Sequence, residues 1–212
     1  MTPAPDDGPA WAAALEAEAP DVLACWRVFS LDGDGLERLR SELEPRVTAG
    51  SAPRLVAQQE AIGDALESGL RELPERLLRA PGGEEDWNVA QAFAHTTAAR
   101  RFLATWAALD VDGSWPAHRA PSVIPSVPGA PDASRDRLLT LLDKSRRAIR
   151  EAGARIEGHE TRPCRLEHPL VGHLRCGEWL LFLGIHDLMH LQQLEELRAA
   201  DADADAAAGR RG

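Results

Sequence analysis

The segment Glu178–Leu197, EWLLFLGIHDLMHLQQLEEL, is one of the most apolar of the chain, yet it carries His186 and His190, four residues apart. On a helix that spacing is about one turn, so both imidazoles leave the same face. A third histidine, His95, falls on the predicted inward stripe of another helical segment, with Ala92, Ala99, Phe102 and Trp106. A lone histidine on such a face reads as a hydrogen-bonded core residue. Three neutral imidazoles crowded into one core are different. Each needs a partner, and an unpaired buried polar group costs about 1–3 kcal/mol. A divalent cation satisfies all three nitrogens at once. Three protein ligands also leave coordination positions open for water or substrate, the pattern of a catalytic site rather than a closed structural one.

Four helical patterns are available to position these side chains. Leu55, Gln59, Ile62, Leu66, Leu70, Leu73 and Leu77 recur at spacings of three and four, which predicts a helix over about 53–78 that Pro74 shortens or kinks. A second helix begins at Asn88, which with Gln91 has the spacing of a capping box, and stops near Leu109. A third spans about 135–157, with Leu138, Leu142, Ala148, Ile149 and Ile156 on one side. The fourth carries the histidine pair. Such helices make a four-helix bundle, and bundles build metal sites from side chains projecting inward. Strand signals are nearly absent, and RPCRLEHPLVGHLRCG, 162–177, reads as a connector.

Residues 51–200 are therefore expected to form the bundle, and 1–50 an N-terminal extension, partly disordered, with two or three short helices broken by Pro20 and by Asp32-Gly-Asp-Gly. That run reads as a turn, because Leu36 stands where a calcium loop needs an oxygen ligand. The end segments MTPAPDDGPA and DADADAAAGRRG lack periodicity, so 201–212 is expected to be a disordered tail. Between the second and third helices lies a Pro-rich loop, 110–134, holding Trp115, Val123, Ile124 and Val127. To meet His95 it must fold back about 15 Å along the bundle; otherwise it covers the far end of the core. Trp115 is its aromatic best suited to cover a ligand.

Composition narrows the function. The formal net charge of -10 and pI near 5.2 argue against a nucleic-acid partner. No apolar run approaches the roughly 18 residues of a membrane span. The first ten residues show neither the basic nor the apolar stretch of a signal peptide, and Cys25, Cys164 and Cys176 form no CxxC pair. A cytoplasmic protein with reduced thiols is expected.

Trp87-Asn-Val-Ala-Gln91 ahead of His95, then His168-Pro-Leu-Val-Gly172, Glu178-Trp179 and His186-Asp-Leu-Met-His190-Leu-Gln-Gln193, resemble the DinB-like superfamily over about 53–198. That superfamily includes thiol-dependent S-transferases and mycothiol-dependent maleylpyruvate isomerases. The resemblance implies a metal held by His95, His186 and His190. Zinc or nickel, iron or manganese are all metals of such relatives, and imidazoles do not choose sharply among them. It also implies that the connector with His168 and His173 borders the site. One departure is Arg175, where the family often has a Ser or Thr cap before the fourth helix.

Among the neighbours, Gln193 lies seven residues after His186 and can hold a ligand histidine or a bound water, or stand exposed at the helix end. Glu178 reads as an acid suited to a helix N-terminus. Asp187 points away by about 100° toward another helix or solvent. A thiolate of Cys164 or Cys176 is a less supported ligand. The expected function is that of a metal-dependent enzyme on a small-molecule substrate, by transfer or isomerisation with a low-molecular-weight thiol as co-substrate. Metal-dependent hydrolysis uses the same apparatus. A non-catalytic metal- or ligand-binding protein of stress response is the reading from another class. A homodimer is expected.

Overall fold

Helix α1 (Ala10–Leu15), α2 (Pro20–Val28) and α3 (Gly35–Arg46) precede four long helices, α4 (Ala52–Glu72), α5 (Val89–Val111), α6 (Arg135–Ile156) and α7 (Cys176–Gly209). A 3-10 turn, Glu75–Arg79, follows α4, and a hairpin of β1 (Pro163–His168) and β2 (Gly172–Arg175) leads into α7. The computed structural model describes residues 9–29, 33–82, 86–116, 123 and 126–209. Ile124, His118, Asp32 and the first eight residues lie outside them.

The protein is all-α apart from that hairpin. Helices α5 and α4 each pack against both α6 and α7, which closes a ring of four. Leucines and isoleucines of α4, α6 and α7 fill the centre; Leu55, Ile62, Leu142, Ile149, Leu188 and Leu191 are all at most 1% exposed. The termini are set by local chemistry. Asn88 Oδ1 accepts from Gln91 N–H at 2.9 Å, and Gln91 Oε1 accepts from Asn88 N–H at 3.1 Å, a reciprocal box that starts α5. Helix α4 stops at Leu73 because Pro74 has no N–H to continue it. Its first N–H groups turn to distant partners, with Ala52 N–H donating to Glu160 Oε1 at 3.0 Å.

Two expectations require correction. The connector is not irregular: β1 and β2 pair antiparallel, with Glu167 opposite His173 and His168 opposite Gly172. Cys164 and Leu166 turn inward while Arg165 and Glu167 face out. This is a period-two pattern, but it is too short to outweigh the lack of β-branched residues. The tail is not disordered over 201–209, because α7 runs on to Gly209. Alanine is the best helix former, and Arg76 holds Asp201 at 2.7 Å.

Gly184, which weakens an isolated helix, has a packing reason. A Cβ there would lie 2.6 Å from both Gln59 Nε2 and Val22 Cγ1. Helices α2 and α4 can therefore sit close on α7. Gln58 Oε1 further ties α2 down by accepting from Asp21 N–H and Val22 N–H at 3.0 and 3.2 Å.

Asn88 also donates from Nδ2 to Pro131 O at 2.9 Å, joining the start of α5 to the returning loop. Asn88→Ala should lower stability by about 1 kcal/mol. Urea unfolding should show a reduced midpoint with an unchanged slope; an unchanged midpoint would mean that the cap carries no stability.

Candidate metal centre

His95 projects from the second turn of α5, and His186 and His190 from consecutive turns of α7. His95 Nε2 and His186 Nε2 are 3.3 Å apart, and one nitrogen from each of the three rings lies within 4.8 Å of the other two. What sits behind each ring decides its tautomer. His95 Nδ1 is 3.3 Å from Val127 O, and His190 Nδ1 is 2.9 Å from Gln193 Oε1. His186 Nδ1 is 3.9 Å from Asp187 Oδ1, and neither of these two buried atoms has a hydrogen-bond partner among the described residues. Val127 O and Gln193 Oε1 can only accept, so Nδ1 of His95 and of His190 carries the hydrogen and the Nε2 of each keeps a lone pair. His186 Nδ1 has no such partner, and its Nε2 faces that of His95. Ring nitrogens crowded this closely are satisfied together by a cation placed between them. The donor set therefore fits a divalent metal ion, with oxygen acceptors behind His95 and His190.

Burial keeps the His95 and His190 rings neutral. It lowers the His95 pKa to about 4, with the nearby His186 adding to the effect. Burial, then His186, lowers that of His190 to about 3.

Beneath the histidines lies an ion pair with both side chains fully buried. Arg100 Nη1 donates to Asp187 Oδ2, Arg100 Nε to Ser145 Oγ at 3.2 Å, and Nη2 to Gln59 O at 3.1 Å. Asp187 thus faces another helix and not solvent. Above the histidines opens a cavity of about 600 Å³, with His95 and His186 in its wall. Phe29, Phe102, Leu103, Val123, Val127, Leu170, Phe182, Ile185 and Met189 supply most of the rest. No Asp, Glu, Lys or Arg lines it among the described residues.

The sequence profile of the DinB superfamily matches residues 36–194, three quarters of the chain. The chain belongs to the DinB superfamily. No curated protein and no solved structure matched it.

In this DinB-superfamily protein the fold brings together His95, His186, His190 and Gln193, and it sets His168 in the wall of the adjoining cavity. Trp115 is not brought there. It is buried against Trp106, with ring centroids 4.5 Å apart and Arg165 over its face. It sits just past the far end of α5, where the aromatic Trp106 was the nearest surface to cover. The loop reaches the site through other residues: Val123 N–H donates to Glu167 O at 2.9 Å, Gly129 N–H to Gln91 O at 3.2 Å, and Val127 backs His95. The stripe through Phe102 faces this cavity rather than the bundle core, and Phe102 is 39% exposed. Helix α5 is apolar nearly all round, so its periodicity could not tell the two faces apart.

Glu178 sits in the first turn of α7, where its carboxylate accepts from Arg175 N–H at 2.6 Å and Arg175 Nε at 2.8 Å. Arg175 therefore enters the helix without a Ser or Thr cap. Cys164, Cys176 and Asp110 form a second buried group, about 22 Å along α5 from His95. Its carboxylate is already held by Arg165, at 2.5 Å from Nε and 2.9 Å from N–H. Sequence reasoning missed Arg100. The signal was available in Asp187, the only charged residue between Glu178 and Glu195, since a lone acid in an apolar helix requires a buried cation partner.

Two measurements test the centre. His190→Ala should abolish stoichiometric metal binding, while His159→Ala, an exposed site, should leave it intact. Gln193→Leu should weaken metal affinity by about 10–100-fold without loss of helicity, because it frees the His190 tautomer. Equal metal content in all three variants would exclude these ligands.

Stability should also depend on pH. His95 and His190 have folded pKa values near 4 and 3, below the unfolded value of 6.5. As pH falls through 6.5 the unfolded chain takes up these protons first, so stability is full above 6.5 and declines toward pH 4. Denaturant midpoints should fall over that range, less steeply in His190→Ala; a flat profile would contradict neutral burial.

Proposed function

We propose that this protein is a metal-dependent enzyme that acts on a small molecule by thiol-dependent transfer or isomerisation, with zinc or nickel as the favoured metals. The observation that carries the reading is the convergence of one ring nitrogen each from His95, His186 and His190, beside a 600 Å³ cavity with His95 and His186 in its wall. A bound divalent cation would supply the charge that lowers the pKa of a thiol or water beside it.

The chain's own residues do the rest. Val127 and Gln193 fix the tautomers of His95 and His190, and Arg100 holds Asp187 beside His186. The apolar wall excludes water and orients the substrate. No carboxylate, lysine or cysteine lines the cavity among the described residues, which supports a nucleophile from outside the chain. That supports a thiol co-substrate, with metal-dependent hydrolysis by water as the reading that shares this feature. All three cysteines are free, which supports a reducing compartment such as the cytoplasm.

Metal analysis of the purified protein should find about one divalent ion per chain. Assays of electrophile consumption with bacillithiol, mycothiol and glutathione should then show turnover with at least one thiol, lost in His186→Ala. Metal binding with turnover by water alone would replace transfer with hydrolysis. Metal binding with no turnover would favour a binding protein.

A further inference from the structure

His168 has the opposite tautomer to His95 and His190 of the centre. Its Nδ1 lies 3.1 Å from Leu170 N and 3.4 Å from Val171 N, the backbone of the turn that joins β1 to β2. A backbone N–H only donates, so Nδ1 must accept, and in the neutral ring the hydrogen is on Nε2. The ring cannot reverse this without losing both bonds. It is also held by packing, with its centroid 5.1 Å from Phe182 and 6.3 Å from Trp179. Burial lowers its pKa to about 4, so the ring is neutral at pH 7.

This ring lines the same cavity as His95 and His186. The other polar lining residue, Ser126, is exposed and free to turn to water. The exposed large hydrophobics among the described residues, Phe102, Val127 and Leu170, all belong to the cavity wall. An apolar surface gathered around one opening marks a ligand site. With no charged side chain in the described wall, a charged substrate group placed away from the three histidines would lose its hydration and gain no partner.

We propose that His168 is a substrate-binding residue, its Nε2–H donating to a single acceptor, such as a carbonyl oxygen, on an otherwise apolar and uncharged substrate. This rests on the functional reading above for its chemical purpose but not for its binding geometry. The histidines of the centre, on α5 and α7, and the hairpin histidine then divide the work. The first group suits a cation, and the last presents a hydrogen, which suits an electron-rich oxygen.

The test compares two ligands of nearly equal shape, 2-acetylnaphthalene and 2-isopropenylnaphthalene, by fluorescence titration of the purified full-length protein. Wild type should bind the ketone about tenfold more tightly than the hydrocarbon, the value of one net hydrogen bond. His168→Phe should remove that preference while leaving hydrocarbon affinity within about twofold, since apolar packing is retained. His168→Gln, which keeps an N–H donor, should restore part of it. Nitrogen-15 NMR of labelled imidazoles should show His168 Nε2 protonated and Nδ1 unprotonated at neutral pH. The proposal is overturned if the preference survives in His168→Phe, if that variant weakens both ligands alike, if neither ligand binds wild type, or if the NMR tautomer is reversed. The His186→Ala variant should keep the preference; its loss there, with retention in His168→Phe, would assign the ketone to the metal. Metal analysis of the same samples separates the two readings. Protein that binds the ketone through His168 but holds no cation would refute the enzyme proposed above and leave this inference standing.

Discussion

The Arg100 guanidinium touches all four long helices. It projects from α5, donates to Asp187 on α7, to Ser145 on α6 and to the Gln59 carbonyl on α4. A charge with no solvent exposure is tolerable only when its donors are met, and here three of its nitrogens are placed. That requirement fixes the rotation of each helix about its own axis, which apolar packing alone leaves loosely defined. Asp187 immediately follows His186 and His95 precedes Arg100 by five residues, so the same constraint sets the angle at which the histidines meet.

Once the helices are in register, the acceptors behind the rings decide the chemistry. A backbone oxygen and an amide oxygen serve His95 and His190 respectively. They come from different contexts, a returning loop and the next turn of α7. Their common property is that neither can donate through the atom it presents, so the two imidazoles are matched without any similarity between their partners.

Much of this was legible in the sequence. The spacing of leucines gave the long helices, Asn88 with Gln91 gave the start of α5, and the HxxxH pair with His95 gave the cluster, because each signal is local or periodic. The hairpin was missed because Cys164-Arg-Leu-Glu alternates over too few residues, and the end of α7 because an alternating Ala and Asp run resembles a solvated tail. Trp115 was misplaced for another reason. A loop's path depends on which apolar surface it meets first, and Trp106 lay nearer than the histidines. The role of Gln193 was half visible, since spacing set its face but not which way its amide turned.

Phe29 follows α2, outside the segment that matches the superfamily, yet it forms part of the cavity wall. Its position depends on Gln58, Gly184 and the close seat of α2 on the bundle. The cavity is therefore a composite. Its floor lies within the segment that matches the superfamily, and one wall is contributed by a leading segment outside it. Substitutions in that leading segment can alter the shape of what enters while the nitrogens beneath stay unchanged. Selectivity and reactivity can then diverge at different rates within one fold.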